Sequence, residues 1–302
     1  MVSSSEGYLW TPKGPTDGLE TKASIATPSI RSDCYDVVVI GAGFAGLVAA
    51  RNITQQTRAR VLLLDARDRI GGRTWTAIVA GEEIEMGGTW VHWNQPHLYA
   101  ELVRYGLHRN LKASAGTSEA VNQYYKGGDA VIEEVSPEEF GEISERVCAK
   151  LFQIDGLSSR ELMPFPHDPL RDPAPWKKYD HLSVQDRLDQ MKDVSKHEKA
   201  VFASLVNSFG SAPPEDTGLV EVLRWYALGG HTMAQTFELA GTYKIGTGGM
   251  TNFALSILRD YKGDLSLKTP ISQISQDPNV VAITTRAGKQ IKAKYLISTI
   301  PL

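Results

Sequence analysis

The order of apolar and polar residues along the chain divides it into regions of different predicted secondary structure. A short β-branched run over residues 35–40 is followed by a glycine-rich turn and then by helical apolar spacing over 47–53. A second apolar run, residues 61–64, ends at Asp65. Such short runs are typical of buried parallel strands, so the pattern predicts a βαβ unit of about thirty residues.

The middle of the chain changes to helical periodicity before strand patterns return. Amphipathic helices separated by proline-rich loops are predicted over 97–105, 137–152, 184–191 and 197–209, with further helices over 215–228 and 251–261. Strands are predicted over 265–268, 271–274, 280–285, 290–292 and 295–300. This order indicates a nucleotide-binding domain that is interrupted by a second, mostly helical domain.

Residues 1–33 are rich in Ser, Thr, Gly and Pro and have no apolar period. This composition favours an extended or disordered arm. The alternative is that part of the segment packs, with Tyr8 and Trp10 as its anchors. The sequence leaves both alternatives open.

Composition and charge exclude several classes of function. The 302 residues include 32 Lys and Arg against 35 Asp and Glu, a net charge of −3, so no basic field for nucleic acid is expected. No apolar stretch is long enough to predict a membrane-spanning segment, and residues 1–18 lack the apolar core of an export signal. Cys34 and Cys148 are the two cysteines, which favours a reducing compartment and no metal site.

The motif Gly41-x-Gly43-x-x-Gly46 stands between the first predicted strand and the following helix. In such a motif the first glycine permits a tight turn, the second lets a pyrophosphate approach the backbone, and the third lets the helix pack against the strand. The helix N-terminus adds free N–H groups and a positive dipole end. The motif alone is weak evidence for dinucleotide binding, but here the strand before it, the helix after it and an acid after the next strand are all present.

Asp65 follows the second strand, 24 residues after Gly41. A carboxylate at this place can accept hydrogen bonds from an adenosine ribose and disfavours a 2′-phosphate. It is compatible with NAD and with FAD, so this pair of motifs leaves the dinucleotide open. The alternative for Asp65 is a helix cap or a surface acid.

Two further glycine motifs follow. Residues 67–73 contain Arg69-Ile70-Gly71-Gly72-Arg73, which combines close backbone N–H groups with cations suited to a second approach to a diphosphate. By itself this piece would be a glycine turn with solvated arginines. Residues 86–93 place two glycines before large aromatic side chains, which suits either a flat ring system or a turn into a buried tryptophan.

Together the runs Tyr35–Ala50, Leu62–Arg73 and Met86–Trp93 resemble the flavin-containing amine oxidases, and within that family the fungal monoamine oxidases. The resemblance continues in residues 165–168, 225–228, 243–254 and 296–302, so it covers nearly all of the chain. It implies an α/β fold in which a Rossmann-like FAD-binding domain is interleaved with a mostly helical α+β substrate domain. The implied boundaries are 1–33 for the arm, 34–110 for the first part of the FAD-binding domain, 111–240 for the substrate domain and 241–302 for an incomplete second part.

The resemblance implies that FAD is the cofactor. Asp65 stands where the family usually has a glutamate, which is one methylene longer. Ile271, after Pro270, matches the aliphatic residue whose backbone pairs with adenine. The implied cofactor-binding residues are Gly41, Gly43, Phe44, Ala45, Gly46, Asp65, Ala66, Arg67, Gly72, Arg73, Gly87, Gly88, Thr89, Trp90 and Ile271.

The reaction that the resemblance implies is oxidation of a primary or secondary amine to an imine, which hydrolyses to an aldehyde and ammonia, while O2 reoxidises the flavin and yields hydrogen peroxide. An apolar pocket would keep the amine neutral, because burial disfavours the ammonium form. The pocket candidates, each of which is equally typical of core packing, are Phe202, Leu205, Trp225, Tyr226 and His231. No catalytic residue can be assigned, because the family's lysine and aromatic pair would lie beyond residue 302.

Family members continue well past this length, so we expect the 302 residues to be a fragment. The alternatives to a monoamine oxidase are another flavin oxidoreductase, such as a polyamine or amino-acid oxidase, and a non-catalytic FAD-binding fragment. The expected partners are a small-molecule amine and O2, with no nucleic acid, and a homo-oligomer is left open. We expect an intracellular protein, cytoplasmic or peroxisomal.

Overall fold

The computed structural model describes residues 2–114, 123–126 and 131–301. The chain divides into two compact units. The first comprises Met1–Thr89, His97–Lys112 and Lys244–Leu302, and the second comprises Trp90–Pro96 and Ala113–Tyr243. The first unit is therefore discontinuous in sequence, with the second inserted into it.

The secondary structure follows in chain order. The strands are β1 (Val2–Ser4), β2 (Trp10–Thr11), β3 (Gly14–Pro15), β4 (Leu19–Thr21), β5 (Cys34–Ile40), β6 (Val61–Leu64), β7 (Thr76–Val79), β8 (Glu82–Glu85), β9 (Leu111–Ala113), β10 (Gln123–Lys126), β11 (Ile132–Val135), β12 (Tyr243–Ile245), β13 (Asp264–Ser266), β14 (Ile271–Asp277), β15 (Val280–Thr285) and β16 (Gln290–Ser298). The α-helices are α1 (Phe44–Gln56), α2 (Pro96–Arg104), α3 (Pro137–Leu151), α4 (Ser159–Leu162), α5 (Val184–Gln190), α6 (Lys196–Gly210), α7 (Leu219–Leu228), α8 (Met233–Gly241) and α9 (Gly249–Arg259). Two 3₁₀ helices lie at Leu107–Asn110 and Pro175–Tyr179.

A six-stranded sheet in the order β13-β6-β5-β16-β15-β14 forms the centre of the first unit. The first four of these strands are parallel, and β15 and β14 continue the sheet as antiparallel strands. The apolar runs at 35–40 and 61–64 form β5 and β6, and Val38, Leu62 and Leu64 are fully buried. Strands in the middle of a parallel sheet are covered on both faces, which is why they are continuously apolar rather than alternating.

In the structure, residues 2–21 of the N-terminal segment contain four short strands. Strands β1 and β4 form a four-stranded sheet with the hairpin β7–β8. The anchors are Leu19, Thr21 and Ala23, which are buried. The expected anchors, Tyr8 and Trp10, are exposed. The sequence concealed this packing because the buried residues are small or isolated and show no period.

A buried ion pair fixes helix α1 within the first unit. The guanidinium of Arg51, whose side chain is 1% exposed, donates to both carboxylate oxygens of Glu101 and to the hydroxyl of Tyr105. Tyr105 in turn donates to Asp260 at the end of α9. Hydrogen bonding to Arg51 lowers the pKa of Glu101. The network therefore connects α1 with α2 and α9, because the buried charge of Arg51 depends on Glu101 as its partner.

The second unit is built around one apolar core contributed by α3–α8 and the hairpin β10–β11. Four of its helices begin at serine N-caps. The hydroxyl groups of Ser136, Ser158, Ser183 and Ser195 each accept a hydrogen bond from the backbone N–H three residues later. Serine caps of this kind contribute about 1 kcal/mol each. The predicted helices over 137–152, 184–191 and 197–209 begin after three of these serines, whereas the short helices α4 and α8 were not predicted. The hairpin was missed because its strands are only four residues long and the described side chains of β11 are mostly exposed.

Candidate functional site

The glycine motif makes a turn that larger residues could not adopt. Gly41 has a positive φ of 104°, and a Cβ on it would lie 2.5 Å from the hydroxyl of Thr299. A Cβ on Gly46 would lie 1.8 Å from the Gly41 carbonyl oxygen. Thr299 supports the turn from the end of β16, since its N–H and hydroxyl both donate to the Ile40 carbonyl. Sequence analysis did not find Thr299, which gave no signal of its own.

The N-terminus of α1 is available for an anion. Its N-cap is Gly43, which has no side chain to cap it, and the first turn contains no acidic residue. Among the described residues, no side chain accepts a hydrogen bond from the amides of residues 43–46. Helix α9 in the same unit differs, because Glu83 and Glu85 accept from the amides of Gly248 and Met250 at its start. The unsatisfied N–H groups and positive dipole end of α1 therefore fit the diphosphate of a dinucleotide.

Asp65 is held in place by the backbone around it. Its two carboxylate oxygens accept from the amides of Ala42, at 2.7 Å, and Arg67, at 2.8 Å. The residue is 8% exposed, and each oxygen keeps a further acceptor position. The shorter side chain is thus fixed directly on the glycine turn, with exposed Ala66 beside it. A ribose hydroxyl would donate to the remaining acceptor positions.

The strand that carries Ile271 is joined to the same region. The amide of Lys268 donates to the Arg67 carbonyl and the amide of Thr269 to the Asp65 carbonyl, both at 2.8 Å. Ile271 begins β14 two residues later and is partly buried against the sheet core. These bonds bring the predicted adenine-side residue next to the predicted ribose-side residue.

The second glycine motif packs on the first. The amide of Gly71 donates to the Ala42 carbonyl at 2.9 Å, and a Cβ on Gly72 would lie 3.2 Å from the Gly43 Cα. Arg73 is exposed and has no side-chain partner in the parts of the chain that the structure describes. Arg67 and Arg69, in contrast, both bind Glu6. Of these three arginines, Arg73 is the one left to meet an anion.

The third glycine motif lies along the second. The amide of Gly88 donates to the Arg73 carbonyl, and a Cβ on Gly87 would lie 2.0 Å from that oxygen. The hydroxyl of Thr89 donates to the Gly87 carbonyl. Three motifs that are separate in sequence thus form one continuous backbone surface in the first unit. Trp90 belongs to the second unit, where it is 45% exposed and its indole N–H donates to Ser114.

The substrate-side candidates come together in the second unit. Phe202, Leu205, Trp225 and Tyr226 border one apolar cavity, and the imidazole of His231 lies edge-on to the Tyr226 ring at 5.9 Å. The cavity has room for about 20 Å³, which is the space of one water. Burial lowers the pKa of His231, and its Nδ1 is within hydrogen-bond distance of Ser159. In this geometry Phe202, Leu205 and Tyr226 are part of the helical core and Trp225 packs against it. His231 lies in the turn between α7 and α8, beside Tyr226.

A larger cavity lies in the same unit, and Phe209 borders both cavities. It has a volume of about 830 Å³ and is bordered by α3, α6 and α8. Its aromatic side chains are Trp90, Phe140, Phe209 and Phe237, and its acidic residue is Glu238. The rings of Phe140 and Phe209 lie 6.0 and 5.6 Å from that of Phe237. Sequence analysis named only Trp90 of this group, because the three phenylalanines lie on three different helices and share no spacing in the sequence.

His92, inside the third motif, is a further polar residue that sequence analysis did not single out. Its Nδ1 is buried and has no hydrogen-bond partner within the described residues. Burial also lowers the pKa of its imidazole, which favours the neutral form.

Among the described residues, no cluster of three or more His, Cys, Asp and Glu residues could hold a metal ion, and no helix is long and apolar enough to cross a membrane.

The family model described as "Flavin containing amine oxidoreductase" matches residues 44–302. The chain belongs to this family. The cofactor of the family is FAD, in agreement with the expectation from the family resemblance. Nicotine dehydrogenase of Pseudomonas putida (strain DSM 28022 / S16) is 35% identical over 268 residues, which cover 89% of this chain and 53% of the relative. Flavin-containing amine oxidase A of Canis lupus familiaris is 28% identical over 290 residues, covering 92% of this chain and 52% of the relative.

Among solved structures of flavin amine oxidases, cyclohexylamine oxidase from Brevibacterium oxydans IH-35A matches with a TM-score of 0.62 at 22% identity, covering 87% of this chain and 57% of that one. This similarity concerns the fold, and it confirms the predicted α/β class with a Rossmann-like FAD-binding domain. The chain spans about half the length of the curated relatives it matches.

Proposed function

We propose that the first unit binds FAD in an extended form across the three glycine motifs. The observation that carries the proposal is the uncapped start of α1 at Gly43, with Gly72 against it and the unpaired cation of Arg73 beside it. Diphosphate would bind there, ribose at Asp65 and adenine beside Ile271. The remaining contacts within this unit would come from Gly41, Phe44, Ala45, Gly46, Ala66, Gly87, Gly88 and Thr89, which keep the role that the family resemblance implies for them. Trp90 belongs to the second unit, and its role at the cofactor stays a prediction from the resemblance.

Arg67 fits this role least well. Its guanidinium is directed to Glu6, with 2.6 Å between Nε and a carboxylate oxygen. Its contribution to the site is its backbone, since its amide fixes Asp65 and its carbonyl accepts from Lys268. We therefore propose Arg67 as a backbone contributor and Arg73 as the cation that binds the diphosphate.

The proposed reaction is the oxidation of an amine. When bound, FAD would accept two electrons from the amine, and O2 would reoxidise it. The protein's own task is to bind the amine apart from water and to favour its neutral form, because an ammonium ion loses more solvation on burial than the free amine does.

The cavity of about 830 Å³ is the better candidate for this task. Its volume lies within the usual range for small-molecule pockets, whereas the Phe202 cavity is far below it. Its described lining contains four aromatic residues and no arginine or lysine. An amino-acid substrate would need a cation for its carboxylate, so the lining favours an amine without a carboxyl group. The relatives named for nicotine, cyclohexylamine and general amine oxidation are consistent with this class.

The test is a substrate panel on the purified protein reconstituted with FAD. Visible absorption would follow reduction of the flavin without O2, and a peroxidase-coupled assay would follow hydrogen peroxide in air. We expect bleaching and peroxide with benzylamine-like or cyclic amines, and slower reaction with polyamines. Flavin binding without bleaching by any amine would favour the non-catalytic alternative, and reaction with amino acids alone would contradict the substrate class.

Two further expectations remain proposals. We propose that the protein works inside the cell, in the cytoplasm or the peroxisome, because both cysteines are free thiols, Cys34 exposed and Cys148 buried. The oligomeric state, and the particular similarity to the fungal monoamine oxidases, stay predictions.

A further inference from the structure

The N-terminal segment, residues 2–24, lies against residues 67–73, which we call the arginine–glycine loop. Asp68 in this loop accepts from the Ser4 hydroxyl and the Ser5 amide, both at 2.6 Å. At the other end of the segment, the Ala23 carbonyl accepts from the amide of Ile70 at 3.0 Å. The loop is therefore held by a segment that lies more than forty residues earlier in the chain.

Glu6 is the charged contact between the two. One carboxylate oxygen accepts from Nε of Arg67 at 2.6 Å, and the other accepts from Nε and Nη2 of Arg69 at 3.0 and 2.5 Å. The side chain of Arg69 is 3% exposed and stacks over the ring of Trp75 at 4.3 Å. Because burial penalises this guanidinium, its position depends on a partner for the charge. In the described structure Glu6 is the carboxylate that supplies it.

Arg69 transmits this contact to the cofactor side of the loop. Its Nη1 donates to the Gly72 carbonyl at 2.7 Å. Gly72 is the residue that approaches Gly43 at the start of α1, where a Cβ on Gly72 would already be 3.2 Å from the Gly43 Cα. The order of contacts is thus Glu6 to Arg69, Arg69 to Gly72, and Gly72 to the glycine turn.

We propose that Glu6 is a positioning residue for the diphosphate end of the cofactor site. By holding Arg69 it fixes the Gly72 carbonyl, which accepts from Arg69, and so keeps the neighbouring backbone and Arg73 in place. This inference rests on the proposed FAD site and adds the N-terminal segment to it. Glu6 itself touches no part of the cofactor in this assignment.

The sign of the effect separates positioning from simple electrostatics. Removing a carboxylate near the site raises the local positive potential, which alone would strengthen the binding of an anion. Loss of positioning weakens it, because a buried Arg69 without its partner would leave its place and release Gly72. Weaker binding of a diphosphate after loss of a negative charge is therefore the diagnostic result.

The experiment measures binding of FAD, ADP and adenosine to the apoproteins of wild type and three variants. The variants are Glu6→Ala, the conservative Glu6→Asp, and Glu20→Ala as the matched control. Glu20 lies in the same segment, is exposed and has no side-chain partner among the described residues. For Glu6→Ala we expect FAD and ADP to bind about tenfold more weakly, as expected for loss of a charge-assisted hydrogen bond, and adenosine to bind as in wild type. Glu6→Asp should recover part of the affinity, and Glu20→Ala should match wild type.

Amide hydrogen exchange in the apoprotein gives an independent readout. Residues 71–73 should exchange at least about tenfold faster in Glu6→Ala than in Glu20→Ala, while β5 and β6 exchange equally in both. Unchanged or tighter ADP binding by Glu6→Ala, an equal loss of ADP and adenosine binding, or unchanged exchange at 71–73 would each overturn the inference. Failure of wild type to bind FAD would instead overturn the proposed function, and the exchange rates would still decide the role of Glu6.

Discussion

Replacement of Gly43 by alanine separates cofactor binding from folding. In the described structure an added Cβ has its nearest contact at 3.8 Å, on the Gly72 Cα, and the backbone at Gly43 is extended with φ −73° and ψ 179°. Alanine therefore fits the apoprotein without strain. Its cost there is that of a poorer N-cap, about 1 kcal/mol. The same methyl group would point into the space where the diphosphate must approach the start of α1.

Gly218 offers a matched control. It is the N-cap of α7, also in extended backbone with φ −65° and ψ 130°, and no described atom lies within 4 Å of an added Cβ. The changes Gly43→Ala and Gly218→Ala thus have the same chemistry, the same position in a helix and the same expected cost to stability. They differ in whether a cofactor is expected to touch the new methyl group.

We expect thermal unfolding of the two apoproteins to shift by the same few degrees relative to wild type. FAD titrations followed by flavin fluorescence should show wild-type affinity for Gly218→Ala and a dissociation constant raised at least about tenfold for Gly43→Ala, equivalent to ~1.4 kcal/mol. If Gly43→Ala bound FAD as tightly as Gly218→Ala, the diphosphate would not lie at the start of α1. If Gly43→Ala failed to fold, the space around residue 43 would be too small for a methyl group, contrary to the 3.8 Å contact described above.

Three further predictions concern stability and substrate binding. Because the pKa of Glu101 is lowered by Arg51, the pair stabilises the folded state above the ordinary carboxyl value of 4.5 and this contribution is lost as pH falls; Glu101→Gln should therefore lower the melting temperature at pH 7 and show a smaller further loss towards pH 4 than wild type. An equal pH slope in both proteins would contradict this. Gly141→Ala, in the middle of α3 with no described atom within 4 Å of the new Cβ, should raise unfolding free energy by about 0.5–1 kcal/mol in urea titrations, and a decrease would show that the site is crowded. Phe237→Ala should raise KM for an amine severalfold and leave the FAD dissociation constant unchanged, since Phe237 borders the larger cavity of the second unit; unchanged KM would exclude that cavity as the amine site.

The sequence by itself determined the local parts of the cofactor unit. Apolar runs at 35–40 and 61–64 predict β5 and β6 because a buried parallel strand must be apolar on both faces. The glycines at 41 and 46 likewise predict the turn between strand and helix, because that turn leaves no space for a side chain at either position. These are constraints between near neighbours in the chain, and they require no knowledge of where distant segments lie. Family resemblance added the cofactor, which spacing alone left undecided between two dinucleotides.

Only the tertiary structure decided which polar groups are free and which are engaged. The sequence does not distinguish Arg67, Arg69 and Arg73. In the described structure Glu6, more than sixty residues away, binds Arg67 and Arg69, whereas Arg73 has no side-chain partner. Thr299 reaches the Ile40 carbonyl from 259 residues away. The aromatic residues of the second unit's helices likewise face the core or the larger cavity according to how those helices pack. Pairings of this kind depend on the path of the whole chain, and no local period or spacing encodes them.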